Sequence, residues 1–371
     1  MSLSKTASRR LNREGLLGNQ KVINPVISEC RYYIPTDLNP YRNIALEAYL
    51  LETVPRETCV LYLWQNRRTV VVGRNQNSWA ECRVNQLESD GGFLARRLSG
   101  GGAVYHDEQN LNFTFLMHNV DYDVPRQLEV VLRAIRSFAL NAEKNGRNDL
   151  TIDGRKFSGN AFYKSGDFCY HHGTLLIDTD TEAMHRYLSV APEKLQGKGV
   201  ASVKSRVVNL KGLCPTLTVS ALREALITAF GRVYDRRPNP LDATIFNSTR
   251  IEQLENHFAS WGWRFGRNIP FTWKAQRRFT WGGIQLQFLV EHGKVSDAQF
   301  YSDAMAGEFI RSLPAYCIGR PFDARTLAAV LSAARSAPLA TPQKTPQEAC
   351  GSPEEKEILS DIQHLITEEL Q

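Results

Sequence analysis

Leu94-Ala-Arg-Arg-Leu-Ser-Gly-Gly-Gly-Ala-Val-Tyr-His-Asp107 sets three consecutive glycines between two apolar, strand-like runs. Glycine lacks a Cβ and loses the most backbone entropy on ordering, so Gly100, Gly101 and Gly102 weaken any strand they occupy. The pattern predicts a loop between two strands of one sheet, Phe93 to Leu98 and Ala103 to His106. Two readings of that loop stand side by side. A glycine bulge would bend the sheet. Alternatively, consecutive N–H groups would form a concavity for an anion and let a ligand lie against the backbone. Arg96 and Arg97 alternate across the strand, so only one faces the loop, where a guanidinium would grip a phosphate or carboxylate at two points. Ser99 adds a hydroxyl and His106 a polar ring. Neither Gly-x-x-x-x-Gly-Lys-Ser/Thr nor Gly-x-Gly-x-x-Gly is present here, which excludes two common nucleotide loops.

Outward from this stretch, strand and helix patterns mix. Asn43 to Leu51 has helical spacing with Asn43 as N-cap. Thr58 to Trp64 and Arg68 to Val72 are β-branched and apolar, and Gln65-Asn66-Arg67 between them predicts a hairpin turn. Gly73-Arg-Asn-Gln-Asn-Ser-Trp79 is a polar loop. Leu111 to Phe115 alternates with period two. Leu128, Val131, Leu132, Ile135 and Phe138 make a helical stripe that Gly146 would cap. Asp153-Gly154 and Ser165-Gly166-Asp167 bracket Arg155 to Tyr163 in a meander that continues from Phe168 to Ile177. Helices follow around Glu182 to Leu188 and Ala221 to Val233. Strands mixed with separated helices, without a βαβ repeat, predict an α+β fold. Arg277 to Gly283 with Ile284 to Phe288 reads as a hairpin and Arg325 to Ala334 as a helix, together a second, smaller domain. Ser336 to Pro353 reads as a linker before an amphipathic helix near Glu354 to Leu370.

The chain has 371 residues, a formal charge of +6 and 42% hydrophobic residues. Length allows one large domain and a smaller one. No apolar run approaches the ~20 residues that span a bilayer, so no membrane partner is expected. The modest, dispersed charge suggests phosphate-bearing or acidic partners without nucleic acid. Seven scattered cysteines, with no Cys-x-x-Cys pair, fit a reducing compartment. The first twenty residues hold Lys5, Arg9, Arg10 and Arg13 and no apolar core. That excludes a secretory signal and leaves a solvated basic tail or a transit peptide, hence a cytoplasmic or mitochondrial location.

Further stretches bear chemistry, each beside a plainer reading. Lys156, between Asp153-Gly154 and Ser158-Gly159, supplies a compact cation for a phosphate and an attacked carbonyl, or is an exposed strand lysine. His171 and His172 point to opposite faces, so at most one joins the site. Asn148-Asp149 would place a carboxylate for Mg²⁺ beside a nucleotide, or is a turn. Cys169 shares a face with His171, but no carboxylate orients a thiol mechanism there.

In sequence order, Gly73-Arg-Asn-Gln-Asn77, Ala95 to Asp107, Gly146-Arg-Asn-Asp149, Arg155-Lys-Phe-Ser-Gly159, His171-His-Gly-Thr-Leu175 and Ser202-Val-Lys-Ser-Arg206 together resemble the lipoate-protein ligase A family of the biotin/lipoate ligase superfamily. The resemblance implies a large mixed-sheet catalytic domain over residues 31–250 and an accessory α+β domain over 256–336. It leaves a basic extension (1–30) and a Pro-rich linker with a terminal helix (337–371) without a family role. It implies ATP, Mg²⁺ and lipoate, with lipoyl-adenylate formed first and the acyl group then passed to a lysine of an apo lipoyl domain, in E2 subunits or H protein. Lys156 would be the electrostatic catalyst. Arg97, Ser99, Gly100, Gly101, Gly102, Val104, His106, Asn148, Ser158, Gly159, His172, Gly173, Thr174, Ser202 and Arg206 would bind substrate or adenylate, and Asp149 the metal. The nearest alternative is an acyltransferase working from a carrier protein or preformed adenylate. Biotin ligases differ in the residues flanking the glycines, and an RNA-binding adaptor would need aromatics among basic stripes.

Overall fold

A computed structural model of the chain describes residues 27–146, 148–189, 207–267, 269–334 and 352–370. The class is α+β. Eight strands form a mixed sheet in the order β11-β1-β2-β6-β10-β9-β8-β7. They are β1 (Glu29–Tyr33), β2 (Thr58–Trp64), β6 (Asn110–His118), β7 (Glu143–Asn145), β8 (Asp149–Ile152), β9 (Arg155–Ser165), β10 (Phe168–Leu176) and β11 (Asn239–Pro240). β11, β1 and β2 run parallel, and the other pairs are antiparallel.

All seven residues of β2 and all nine of β6 are buried, as expected of strands covered on both faces. Leu61, Leu63, Phe113 and Phe115 pack under the helices Val124–Arg136 and Val219–Tyr234. Val60, Tyr62 and Trp64 pack with the helices Pro40–Thr53 and Ser248–Ala259. Asn112, Thr114, His172 and Thr174 lie beside Tyr62 and Trp64 in register, so that face turns polar at one end.

A second sheet of three short strands, β4 (Phe93–Arg96), β3 (Thr69–Val72) and β5 (Val104–His106), carries the glycines between its two flanking strands. The glycine loop therefore does join strands of one sheet. The hairpin expected between Thr58 and Val72 does not form, because β2 and β3 belong to different sheets. Asn66 is buried and hydrogen-bonded to Asn43 and His106, so the segment between those strands is a fixed crossing and not a solvated turn. Two caps also differ. Asn39 caps the first helix, accepting from the Tyr41 N–H, while Asn43 is buried one turn further on. The stripe helix ends at Arg136, and Gly146 (φ 62°) serves the turn between β7 and β8.

The smaller unit is an antiparallel sheet of β12 (Trp273–Phe279), β13 (Gly282–Glu291) and β14 (Lys294–Ser302) with its own core. The last helix, Pro353–Glu369, packs into that core through Ile358, Ile362, Leu365 and Ile366, all fully buried. A capping box at Ser352 and Glu355 starts it.

Candidate active site

Between the polar end of the large sheet, the glycine loop and the smaller unit lies a cavity of about 430 Å³, within the usual range for small-molecule sites. Of the residues expected there, Arg97, Gly101, Gly102, Val104, His106, Asn148, Asp149, Lys156, Gly159, His172, Gly173 and Thr174 line it. Ser99, Gly100 and Ser158 are buried behind the wall. Ser202 and Arg206 lie outside the described residues.

Arg97 departs from its expected use. Its guanidinium donates from Nε to Ser99 Oγ (3.0 Å), from Nη1 to the Val71 carbonyl (3.1 Å), and from Nη2 to the carbonyls of Gly100 and Gly102 (2.7 Å each). The two-point grip is on the loop itself. Burial lowers its pKa to about 10, so it stays charged at neutral pH. On the opposite face, Arg96 Nη1 clamps the carbonyls of Gly73, Arg74 and Gln76. A Cβ on Gly73 would overlap the Gly101 carbonyl oxygen, so the polar loop and the glycine loop touch backbone to backbone.

Behind the loop runs a buried chain that the motifs did not reveal. The Trp64 indole N–H donates to Thr114 Oγ1 (3.1 Å), the Thr114 hydroxyl donates to Glu47 Oε1 (2.8 Å), and Glu47 Oε1 stands 2.9 Å from His172 Nδ1. His172 Nε2 is 2.8 Å from Ser99 Oγ. A carboxylate only accepts, so Nδ1 carries a proton, and Nε2 shares the next hydrogen bond with the Ser99 hydroxyl. Hydroxyl, imidazole and carboxylate follow one another as in a hydrolase triad. Ser99, however, is 1% exposed and does not reach the cavity, so this chain holds the loop. One sequence signal for Glu47 was available: it is the single charge in the apolar run Ile44 to Leu51.

His106 is held by amides. Its Nδ1 faces Asn66 Nδ2 (3.1 Å) and Asn112 Nδ2 (3.4 Å). The carbonyl ends of those amides accept from Asn43 and Asn110, which fixes their direction and leaves the ring proton on Nε2. Burial lowers the pKa to about 3, so the ring is neutral.

Lys156 opens β9, where the register with β8 shifts beside Thr151. Such a bulge re-aims a side chain. Lys156 Nζ pairs with Asp149 Oδ1 at 2.8 Å, both side chains about two-fifths exposed (39% and 44%). A Cβ on Gly159 would stand 3.0 Å from that Nζ, so the glycine keeps the ammonium's path clear. Gly173 is small for another reason: a Cβ would press on the Phe113 ring at 2.6 Å, in the core. His171 points the other way, its ring nitrogens on Gln127 and Asn160. Cys169 is fully buried, off the cavity, and its thiol is pushed up to about 12 by desolvation, which leaves no thiolate at neutral pH.

The smaller unit completes the wall with Arg278, Thr280, Trp281, Asp303 and Met305. It docks through backbone contacts: Gly101 N–H donates to the Ala304 carbonyl (3.2 Å) and Ser302 N–H to that of Asn75 (2.9 Å). Among the described residues, no group of three His, Cys, Asp or Glu is placed to hold a metal ion.

Comparison with known proteins agrees with this architecture. Residues 39–231 match the family described as lipoyl protein ligase A/B catalytic domain, and residues 268–349 that described as bacterial lipoate protein ligase C-terminus. The lipoate-protein ligase A of Psychrobacter cryohalolentis is 38% identical over 280 residues, covering 73% of this chain and 83% of that protein. The structure of P. falciparum LipL1 in complex with lipoate superposes with a TM-score of 0.75 at 26% identity, over 91% of this chain and 99% of that one. A lipoate-protein ligase A bound with ATP shares the fold, with a TM-score of 0.55 at 23% identity over 64% of this chain and 99% of that one.

Proposed function

Because the chain belongs to the lipoyl protein ligase A/B family, we propose that it is an ATP-dependent lipoate-protein ligase. Lipoate and ATP enter as substrates. The lipoate carboxylate attacks the α-phosphorus, pyrophosphate leaves, and a lysine amine of an apo lipoyl domain then attacks the carbonyl of lipoyl-adenylate and releases AMP. The observation that carries this reading is the placement of Lys156. Its ammonium faces a cavity walled by both units, and its exposed partner Asp149 can be exchanged for substrate oxygen.

In the first step Lys156 neutralises the carboxylate and α-phosphate oxygens as they approach. In the second it draws charge from the attacked carbonyl. Fixed positive charge favours the transition state over the ground state in both steps. The neutral His106 offers an N–H and takes no proton. Mg²⁺ suits the same end of the cavity, because Asp149 presents a carboxylate and the buried Asn148 Oδ1 has no partner among the described residues. Bound there, the ion would neutralise phosphate charge. E2 subunits and H protein are the acceptors this reading names. Among the described residues all six cysteines are unpaired, which supports a reducing compartment, the cytoplasm. Among the described residues no helix is long and apolar enough to cross a membrane.

The transferase alternative, working from a carrier protein, needs a nucleophilic thiol or a different lysine setting at the site, and the burial and raised pKa of Cys169 speak against the thiol. One assay tests the ligase reading. The protein is incubated with an apo lipoyl domain, lipoate and Mg-ATP, and the acceptor's mass and pyrophosphate release are followed. Mass gain with ATP is expected. Gain only from added lipoyl-adenylate, or only from an acylated carrier without ATP, would sink it.

A further inference from the structure

Three cationic side chains among the described residues reach the cavity wall: Arg97, Lys156 and Arg278. The triphosphate of ATP carries several negative charges and needs more than one cation in a partly desolvated site. Four of the five N–H donors of Arg97 are committed to the Val71, Gly100 and Gly102 carbonyls and to Ser99, and Lys156 serves the acyl and α-phosphate oxygens. Arg278 is differently placed. It comes from β12, its side chain is 44% exposed, and its Nη1 donates to Asp303 Oδ2 at 3.1 Å. Asp303 is largely buried, with 12% of its side chain exposed, so the solvent side of the pair is the guanidinium, which is free to turn to another anion. Asp303 Oδ1 is fixed separately by the Gly283 N–H at 2.6 Å, so the carboxylate keeps a partner when the guanidinium turns to another anion.

The hairpin tip that presents Arg278 is itself braced. Thr280 Oγ1 donates to Glu357 (2.8 Å) and Trp281 Nε1 to Asp361 Oδ2 (2.7 Å), both on the terminal helix, while Arg277 pairs with Glu368 and Glu369. Trp281 is 5% exposed and stacks on Phe279. A loose arginine on a surface has no need of such support.

We propose that Arg278 is a ligand for the polyphosphate of ATP, supplied to the catalytic cavity by the smaller unit and held in place by the terminal helix. The assignment rests on the ligase reading above and gives the smaller unit a chemical part in the first step. A guanidinium suits it because its planar fork meets two phosphate oxygens at once.

The test uses the full-length chain and titration calorimetry with α,β-methylene-ATP and, separately, with lipoate. Arg278→Ala should weaken binding of the ATP analogue by about ten- to a hundredfold, the worth of a hydrogen bond to a charged group. Lipoate binding and acyl transfer from preformed lipoyl-adenylate should stay unchanged. Arg278→Lys should fall between the two, and Asp303→Asn, which keeps an acceptor for Gly283, should bind the analogue at least as tightly as wild type. Unaltered analogue binding in Arg278→Ala overturns the assignment. So does a loss confined to the KM for the lipoyl domain, which would make Arg278 a contact for the acidic protein acceptor. If the wild-type chain binds lipoate but no nucleotide, the ligase reading itself has failed.

Discussion

Between Arg96 and Arg97 a single peptide bond separates two buried guanidiniums that clamp different loops, one against Gly73 to Gln76 and the other inside Leu98 to Ala103. Strand alternation said they would part. It could not say that both would be satisfied by carbonyls, because periodicity assigns a face and not a partner. The small residues beside Lys156 were legible in the sequence, and Gly159 is small because a Cβ there would stand 3.0 Å from the ammonium. Replacing Lys156 with Met should abolish adenylate formation, seen as loss of pyrophosphate release, while the melting temperature stays within a few degrees. Cys169→Ser should leave turnover near normal, and a large loss would restore the thiol mechanism. His106 and His171 both titrate near pH 3 because burial opposes their charged forms, whereas the unfolded chain protonates them near 6.5. Their depressed values favour the native state above pH 6.5, and that advantage is lost as the pH falls towards 3. Each ring should cost on the order of 2 kcal/mol between pH 6.5 and 5. Urea midpoints at the two pH values measure this, and His171→Gln should flatten the slope.

At the scale of elements, the meander from β8 to β10 and the glycine loop were read correctly because their turns carry Asp-Gly, Ser-Gly and Gly-Gly-Gly signals. The crossing from β2 to β3 was not. Three polar residues between apolar runs describe a hairpin and a sheet-to-sheet crossing equally well, and only the burial of Asn66 separates them. The clamp by Arg96 and the contact of Gly73 with Gly101 make the two loops one unit. Gly73→Ala should therefore disturb substrate binding from outside the cavity, raising the lipoate KM at least tenfold with the fold retained by circular dichroism. A wild-type KM would show that the two backbones part easily.

On the scale of the whole molecule, the large sheet and its smaller companion were legible as two units. The place of the terminal helix was not, since a Pro-, Ser- and Thr-rich stretch precedes it and conceals its attachment. Its apolar stripe belongs to the core under β12 to β14. Ile362→Ala should destabilise that unit by about 2–5 kcal/mol, seen as an earlier unfolding step in a chain whose catalytic sheet melts as before.

The position of that helix also orders events during synthesis. The strands β12 to β14 leave the ribosome first, but the residues that close their core follow about 50 positions later, a delay of about 3–10 s at ordinary elongation rates. Over that interval the catalytic sheet can already be folded, while the smaller sheet shows its apolar side to chaperones and proteases. Nascent chains stalled just before Pro353 should be cut within 273–302 by limited proteolysis, and chains stalled after the helix has cleared the exit tunnel should resist.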